Sequence, residues 1–122
     1  MIRFRVDGRL PGLNEYIDAC RRNKYQAAKL KREAEDRIAL FAKRIPVIRG
    51  PVQVGFVWHE RSRKRDPDNV AFGKKFILDA LVRLKKLQND NATYIRGLRD
   101  WFQYGGQQGV TVLIMEDENE RF

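Results

Sequence analysis

Two carboxylates directly follow a run of cationic side chains in the segment ERSRKRDPDNV, residues 60–70. Asp66 and Asp68 stand at positions i and i+2, so on an extended segment both side chains can converge on one edge. Hard cations such as Mg²⁺ take oxygen ligands, commonly one or two carboxylates completed by phosphate oxygens and water. One interpretation of this segment is therefore a divalent-metal site beside a surface that binds a polyanion.

The cationic side chains fit that interpretation as contacts for DNA phosphates, which position a strand and carry little sequence information. The basic residues are Arg61, Arg63, Lys64 and Arg65. A structural explanation also exists, in which Asp66 is the N-cap of a helix and Pro67 its first residue. Asp68 would then lie in the first turn, where the helix dipole favours a carboxylate. Both explanations stay open on these residues, because Asp-x-Asp is a weak motif.

The charge balance of the chain favours a polyanionic partner. Its 122 residues include 25 Lys and Arg against 16 Asp and Glu, a net charge of +9. Each phosphate contact releases condensed counterions, so nucleic acid is the leading partner and an anionic membrane the weaker one. The plain alternative is a soluble protein with a basic surface.

Length and composition predict a single domain over residues 1–122 in the cytoplasm. No apolar run approaches the ~20 residues that span a bilayer, and the first residues lack the apolar centre of a signal peptide. We expect no membrane association and no small-molecule cofactor. Cys20 is the one cysteine, which excludes an internal disulfide and a cysteine-based metal site, and we expect it to be buried or half-buried.

Hydrophobic patterning predicts an α/β (α+β) domain, a small mixed sheet covered by helices in the order β-α-β-α-β-β. The predicted strands are 2–7, 52–59, 94–104 and 108–116, and the predicted helices are 24–44 and 67–87. Residues 10–16 are expected to form a turn-rich segment. The last two strands are expected to form a hairpin across Gly105 and Gly106, and the acidic end, 116–122, to be flexible.

A further carboxylate, Asp90, follows the second predicted helix in a turn over residues 88–93. A straight helix of about 20 residues is ~30 Å long and would keep Asp68 and Asp90 at opposite ends. A break at Gly73, or a chain that folds back, would remove this objection. From local residues, an ordinary turn residue is the favoured explanation of Asp90.

Lys75 and Asp79 stand at positions i and i+4 on the polar side of the same helix. Such a pair can be an exposed ion pair that contributes a few tenths of a kcal/mol. It can equally place a cation at a scissile phosphate, where it would stabilise developing negative charge.

These spaced elements together resemble a known family. Residues 63–95, RKRDPDNVAFGKKFILDALVRLKKLQNDNATYI, look like the core of the RusA family of Holliday-junction resolvases, in particular the phage and prophage type. The family pattern is Arg-Asp-x-Asp-Asn, then a Lys four residues before the Asp of a hydrophobic-Asp-Ala-Leu run, then a carboxylate eleven residues further on. The matches are Arg65 to Asn69, then Lys75 ahead of Asp79, then Asp90.

The early segment LPGLNEY, residues 10–16, is similar to the family's Pro-and-Asn loop, with Asn14 as the match. The resemblance covers about residues 7–116. It implies a small α/β domain that forms a homodimer, binds branched DNA and nicks a four-way junction symmetrically with Mg²⁺, for which Mn²⁺ can substitute. It also implies that Asp66, Asp68 and Asp90 hold the metal.

By the same resemblance Lys75 is the essential cation of the catalytic set. Because the family dimerises, the carboxylates need not all come from one chain. The residues expected to contact DNA are Arg61, Arg63, Lys64, Arg65, Asn69, Lys74 and Asn14.

The chain departs from the family pattern at two places. Asn89 stands where the family often has a first Asp before the last carboxylate. The stretch between Asn69 and Lys75 is about three residues longer than in the enterobacterial type, so Lys74 competes with Lys75 as the site lysine. Counting back from Asp79 favours Lys75. Two other functions remain open: a non-catalytic junction or duplex binder, and a related nuclease that acts on flaps or forks.

Overall fold

The computed structural model describes residues 1–116, and the expected flexibility of the acidic end concerns residues 117–122, which lie outside the described residues. Four strands form one mixed sheet in the order β1-β4-β2-β3. Their bounds are β1 Ile2–Asp7, β2 Val52–Glu60, β3 Ile95–Tyr104 and β4 Gly109–Met115. β4 pairs antiparallel with both β1 and β2, whereas β2 and β3 are parallel.

The predicted hairpin between the last two strands is wrong, because β2 lies between β3 and β4 and pairs with both. Two alternating runs separated by Gly105 and Gly106 look the same in sequence whether or not they pair. Both glycines adopt positive φ, which allows the chain to reverse there. The Gly105 N–H donates to the carbonyl of Glu60 at 2.8 Å, so the reversal crosses the end of β2.

The helices are α1 Leu13–Arg22, α2 Lys24–Ala42, α3 Pro67–Ala71 and α4 Lys74–Arg83. With α3 and α4 taken as one broken helix, the order is β-α-α-β-α-β-β, an α+β domain with one helix more than the sequence predicted. The addition is α1, which begins inside the segment expected to be a turn. Asn23 separates it from α2 and caps α2, since its Oδ1 accepts from the Gln26 N–H at 2.8 Å.

The helix after β2 is broken between α3 and α4. A break at this place is what the sequence analysis named as one way to avoid a straight helix between Asp68 and Asp90. A Cβ on Gly73 would lie 3.2 Å from the indole ring of Trp58, so a glycine permits close packing at the break. After α4, Lys85 adopts a φ of 60° and the Lys86 N–H returns to the carbonyl of Leu81 at 3.0 Å. The chain therefore folds back towards α4 instead of continuing away from it.

The buried core lies between the helices and one face of the sheet. Its fully buried large side chains include Phe56, Phe76, Ile38, Ile77 and Leu81. Even-numbered residues of β2 supply its centre, as their period-two pattern predicted. Cys20 is exposed, contrary to expectation, because it lies on the outer side of the unpredicted helix α1. Within residues 1–116 no helix is long and apolar enough to cross a membrane.

Candidate functional site

Asp66 and Asp68 are both exposed at the start of α3. Asp66 occupies the N-cap position with extended backbone and Pro67 follows it, as the structural explanation predicted. However, the Asp66 side chain makes no capping hydrogen bond. Asp68 lies in the first turn, where its Oδ1 accepts from the Asn69 N–H at 3.0 Å. Asp66 therefore stands at the N-cap position, but its carboxylate does not cap the helix.

Asn69 and Asn14, expected to act at DNA, are brought together across 55 residues of chain. The Asn69 Oδ1 accepts from the Asn14 backbone N–H at 2.9 Å. Gly12 is the N-cap of α1 and has no side chain, so Asn69 supplies the acceptor that this helix end needs. A Cβ on Gly12 would lie 2.6 Å from that Oδ1. The glycine thus lets the 10–16 segment dock against the Asp66–Asn69 segment.

Arg65 differs from the other basic residues of its segment because it is half-buried and bound on several sides. Its Nε and Nη2 donate to the two carboxylate oxygens of Glu60, each at 2.9 Å. Its Nη1 donates to the carbonyl of Leu10 at 3.0 Å. Glu60 is buried and accepts a further bond from Gln108. This geometry gives Arg65 a positioning role, and its expected contact with DNA stays a prediction.

Arg61, Arg63 and Lys64 are exposed in the loop that joins β2 to Asp66. The Arg63 guanidinium lies over the ring of Tyr104, 4.3 Å from its centroid. This cation–π contact orients one cation of the loop against the end of β3. The loop therefore presents positive charge to solvent directly beside the two carboxylates.

The two candidate lysines point in different directions. Lys74 is half-buried and its Nζ bonds to Asp100, whose other oxygen accepts from the Trp58 Nε1 at 2.8 Å. Lys75 keeps 57% of its side chain exposed, with its Nζ 3.1 Å from the Asp79 Oδ1. Lys74 thus ties α4 to the sheet, and Lys75 is the lysine that a substrate can reach.

Asp79 is the centre of a charged cluster, here called the α4 cluster, that comprises Lys31, Lys75, Asp79 and Asp90. Lys31, from α2, places its Nζ 3.1 Å from the Asp79 Oδ2. Burial raises the pKa of Asp79, but hydrogen bonds from Lys31 and Lys75 and with Asp90 outweigh it and hold that pKa below its usual value. The cluster borders an open groove of about 560 Å³ between α2 and α4.

The reversal after α4 therefore brings Asp90 beside Asp79 and into the same groove as Lys75. It does not bring Asp90 to Asp66 and Asp68 as a metal-binding group. Within residues 1–116 no three His, Cys, Asp or Glu side chains converge in a way that could hold a metal ion. A Mg²⁺ ion at Asp66 and Asp68 would therefore take at most this carboxylate pair from one chain, and phosphate oxygens and water would have to complete its coordination.

Several contacts that shape the site had no signal in the sequence. Lys31, Glu60 and Asp100 were not singled out, although each binds a residue that was. Lys31 and Asp100 each meet a partner from another element of the fold. Glu60 lies five residues before Arg65, but that spacing carries no signal when a loop joins the two.

A comparison with models of known protein families gave no match for this chain, and neither did a search of curated proteins. The likeness to RusA resolvases consequently rests on the spaced residues quoted above.

Proposed function

We propose that this chain is a Mg²⁺-dependent endodeoxyribonuclease of the RusA type that acts as a homodimer and resolves four-way DNA junctions by paired symmetric nicks. The observation that carries the proposal is that the residues at the start of α3 fall into two groups, one that holds the segment in place and one that is exposed to solvent. Arg65 and Asn69 hold the segment in place through Glu60, Leu10 and Asn14. Asp66 and Asp68 stay exposed next to outward-facing cations.

Each group then has a role. Mg²⁺, if held here, would supply a water of lowered pKa as the nucleophile for a phosphodiester. Asp66 and Asp68 would hold the ion, with phosphate oxygens in the remaining positions. Arg61, Arg63 and Lys64 would contact flanking phosphates and position the strand. Lys75 would stabilise negative charge that develops at the scissile phosphate.

The role of Asp90 requires a second chain. Asp90 lies in the α4 cluster and is not joined to Asp66 and Asp68 within the described part of one chain. In a two-fold dimer, Asp90 of one protomer can complete the carboxylate pair of the other. The same symmetry would place two equivalent sites on the two equivalent strands of a junction.

A non-catalytic junction or duplex binder is the second candidate. It is favoured by the N-cap position of Asp66 and by the absence of a three-carboxylate group within residues 1–116. A nuclease for flaps or forks would use the same residues as a resolvase, so only the choice of substrate separates the two.

The test is a cleavage assay on a labelled four-way junction, with matched duplex, flap and fork substrates, in Mg²⁺ or EDTA. Wild type is run beside Asp68→Asn, and beside Asp18→Asn, which removes the same charge from an exposed position on α1. A resolvase gives paired nicks on the junction that need Mg²⁺ and disappear only in Asp68→Asn, while junction binding persists.

A merely structural Asp68 would tolerate this substitution at a cost of only about 0.3–1 kcal/mol, because it lies in the first turn of α3 and Asn removes only its interaction with the helix dipole. Tight junction binding without product in Mg²⁺ or Mn²⁺ would refute cleavage and favour the binding protein. Preferred nicking of flaps or forks would keep the nuclease and change its substrate.

A further inference from the structure

The charges of α2 are arranged in the reverse of the order that a helix favours. Its first half, residues 24–32, carries four Lys and Arg and no Asp or Glu, whereas residues 33–42 carry three Asp and Glu against one Arg. A helix dipole favours carboxylates near the first turn and cations near the last. The observed order gains nothing from the dipole, so helix stability does not explain why cations gather at this end.

Three exposed side chains of this half share one side of the helix. They are Tyr25, Lys29 and Arg32, here called the α2 ridge, at positions i, i+4 and i+7. The rise of about 1.5 Å per residue spreads them over about 10 Å. Tyr25 is 66% exposed, and within residues 1–116 these three side chains make no hydrogen bond, ion pair or ring contact.

The carboxylates that follow on α2 do not neutralise the ridge. Asp36 stands one turn after Arg32, but its Oδ1 accepts from the Arg83 Nη2 at 2.6 Å. Glu35 is buried beside the same arginine, with its Oε1 3.6 Å from the Arg83 Nη1. Glu33 forms no ion pair with a described residue. The exposed cations of this half of α2 are therefore in excess.

The α2 ridge leads into the groove that holds the α4 cluster. Arg32 lines this groove together with Lys75 and Asp90. The residue before it, Lys31, points to the same place and binds Asp79. One end of the ridge thus lies beside the lysine that would act at the scissile phosphate.

We propose that the α2 ridge binds the sugar–phosphate backbone of a duplex arm of the DNA, with Lys29 and Arg32 on phosphates and the Tyr25 hydroxyl donating to a phosphate oxygen. This inference rests on the proposed function, because the arm belongs to the DNA that the site would cut. Lys, Arg and Tyr side chains all donate to DNA phosphates, and such contacts fix the position of a duplex without reading its sequence.

An anionic membrane is the other surface that such cations could meet. A helix that lies on a membrane presents a broad apolar face beside its charges. The exposed large apolar side chains of α2 are Tyr25 and Leu40. They are separated by about 22 Å along the helix, so they form no continuous apolar face. The ridge therefore fits a phosphate backbone better than a lipid surface.

The test measures the affinity of the full chain for a fluorescein-labelled four-way junction and for the matching linear duplex, in EDTA so that no cleavage occurs. The ridge variant is Lys29→Gln/Arg32→Gln. Its control is Lys43→Gln/Arg44→Gln, which removes the same charge from exposed positions directly after α2. Tyr25→Phe keeps the ring and removes the hydroxyl. Circular dichroism establishes that each variant is folded.

We expect the ridge variant to bind both DNAs about tenfold more weakly than the control variant at about 0.1 M salt. The slope of log K against log salt should fall by about 1.8, from two lost contacts to duplex phosphates. Tyr25→Phe should weaken binding about threefold and leave the slope unchanged, because a neutral hydroxyl makes a hydrogen bond but releases no counterion.

Equal affinities and equal salt slopes of the ridge and control variants would overturn the proposal. A ridge variant that keeps its DNA affinity and loses binding to phosphatidylserine vesicles would also overturn it, in favour of a membrane. Junction cleavage in Mg²⁺ is measured separately on wild type. DNA binding that depends on the ridge, without cleavage by wild type, would refute the nuclease alone. Cleavage by wild type, with a ridge variant that binds like the control, would refute only the ridge.

Discussion

Neutralising the two adjacent lysines of α4 should give opposite results. Lys74→Gln leaves Asp100, half-buried and bonded to Trp58, without its cation. Loss of a partner by such a group costs roughly 1–3 kcal/mol. Lys75→Gln removes an ion pair whose lysine is 57% exposed, and Lys31 remains on Asp79, so the cost should stay within about 0.5 kcal/mol.

For a domain of this size 1 kcal/mol corresponds to about 4 °C in Tm. Lys74→Gln should therefore lower Tm by about 4–12 °C, whereas Lys75→Gln should change it by about 2 °C or less. Junction cleavage should follow the reverse order. Loss of a transition-state cation lowers the rate by about a hundredfold or more, and that loss should appear in Lys75→Gln.

The assays are thermal unfolding followed by circular dichroism and single-turnover cleavage at a temperature where all variants are folded. Lys43→Gln, at the exposed position directly after α2, controls for the change in net charge. A folded Lys74→Gln protein that has lost cleavage, beside an active Lys75→Gln protein, would refute the assignment. Equal effects on Tm would refute the claim that Lys74, and not Lys75, ties α4 to the sheet.

Two further predictions concern stability. Gly12→Ala should lower the free energy of unfolding by about 1 kcal/mol, the usual loss of a helix cap, because its Cβ would displace the Asn69 side chain; the φ of −90° suits alanine, so an unchanged urea midpoint would contradict the contact. The pKa of Asp79 is lower in the folded than in the unfolded chain, so its contribution to stability is present above about pH 4 and lost as pH falls through the folded pKa. Urea midpoints between pH 2.5 and 6 should accordingly fall less steeply in Asp79→Asn than in wild type, and parallel curves would count against this role.

Elements with a strong local period were predictable from the sequence. β1 and β2 occur close to their expected bounds, because apolar and polar residues alternate along them. The helix α2 begins where expected and ends at Ala42, two residues before its predicted end. A break near Gly73 could be named as an alternative, since glycine weakens a helix.

The remaining features depend on partners that are distant in the chain. Helix α1 begins at Leu13 next to a Pro-Gly pair, which alone indicates a turn. The N–H of Asn14 in its first turn is satisfied by Asn69, 55 residues away, and no local pattern reveals that bond. The pairing of β3 with β2 was missed for the same reason, because period-two alternation identifies a strand and not its neighbour. The sequence suggested which residue types belong to the candidate site. It did not indicate that they lie in two separate groups, Asp66 and Asp68 at α3 and the α4 cluster that holds Lys75 and Asp90.

The bonds of Arg65 to Leu10 and of Asn69 to Asn14 have a kinetic consequence. Each closes a span of 55 residues, 10–65 and 14–69, and the part that the two spans share contains most of α1 and all of α2 and β2. Contacts this distant in sequence form late, after the entropy of closing the loop has been overcome. A partly folded chain would therefore carry the basic loop without its supports, and local opening of these two bonds would disorganise the site while the sheet stays intact. Protection of the Asn14 amide against hydrogen exchange reports how often that opening occurs.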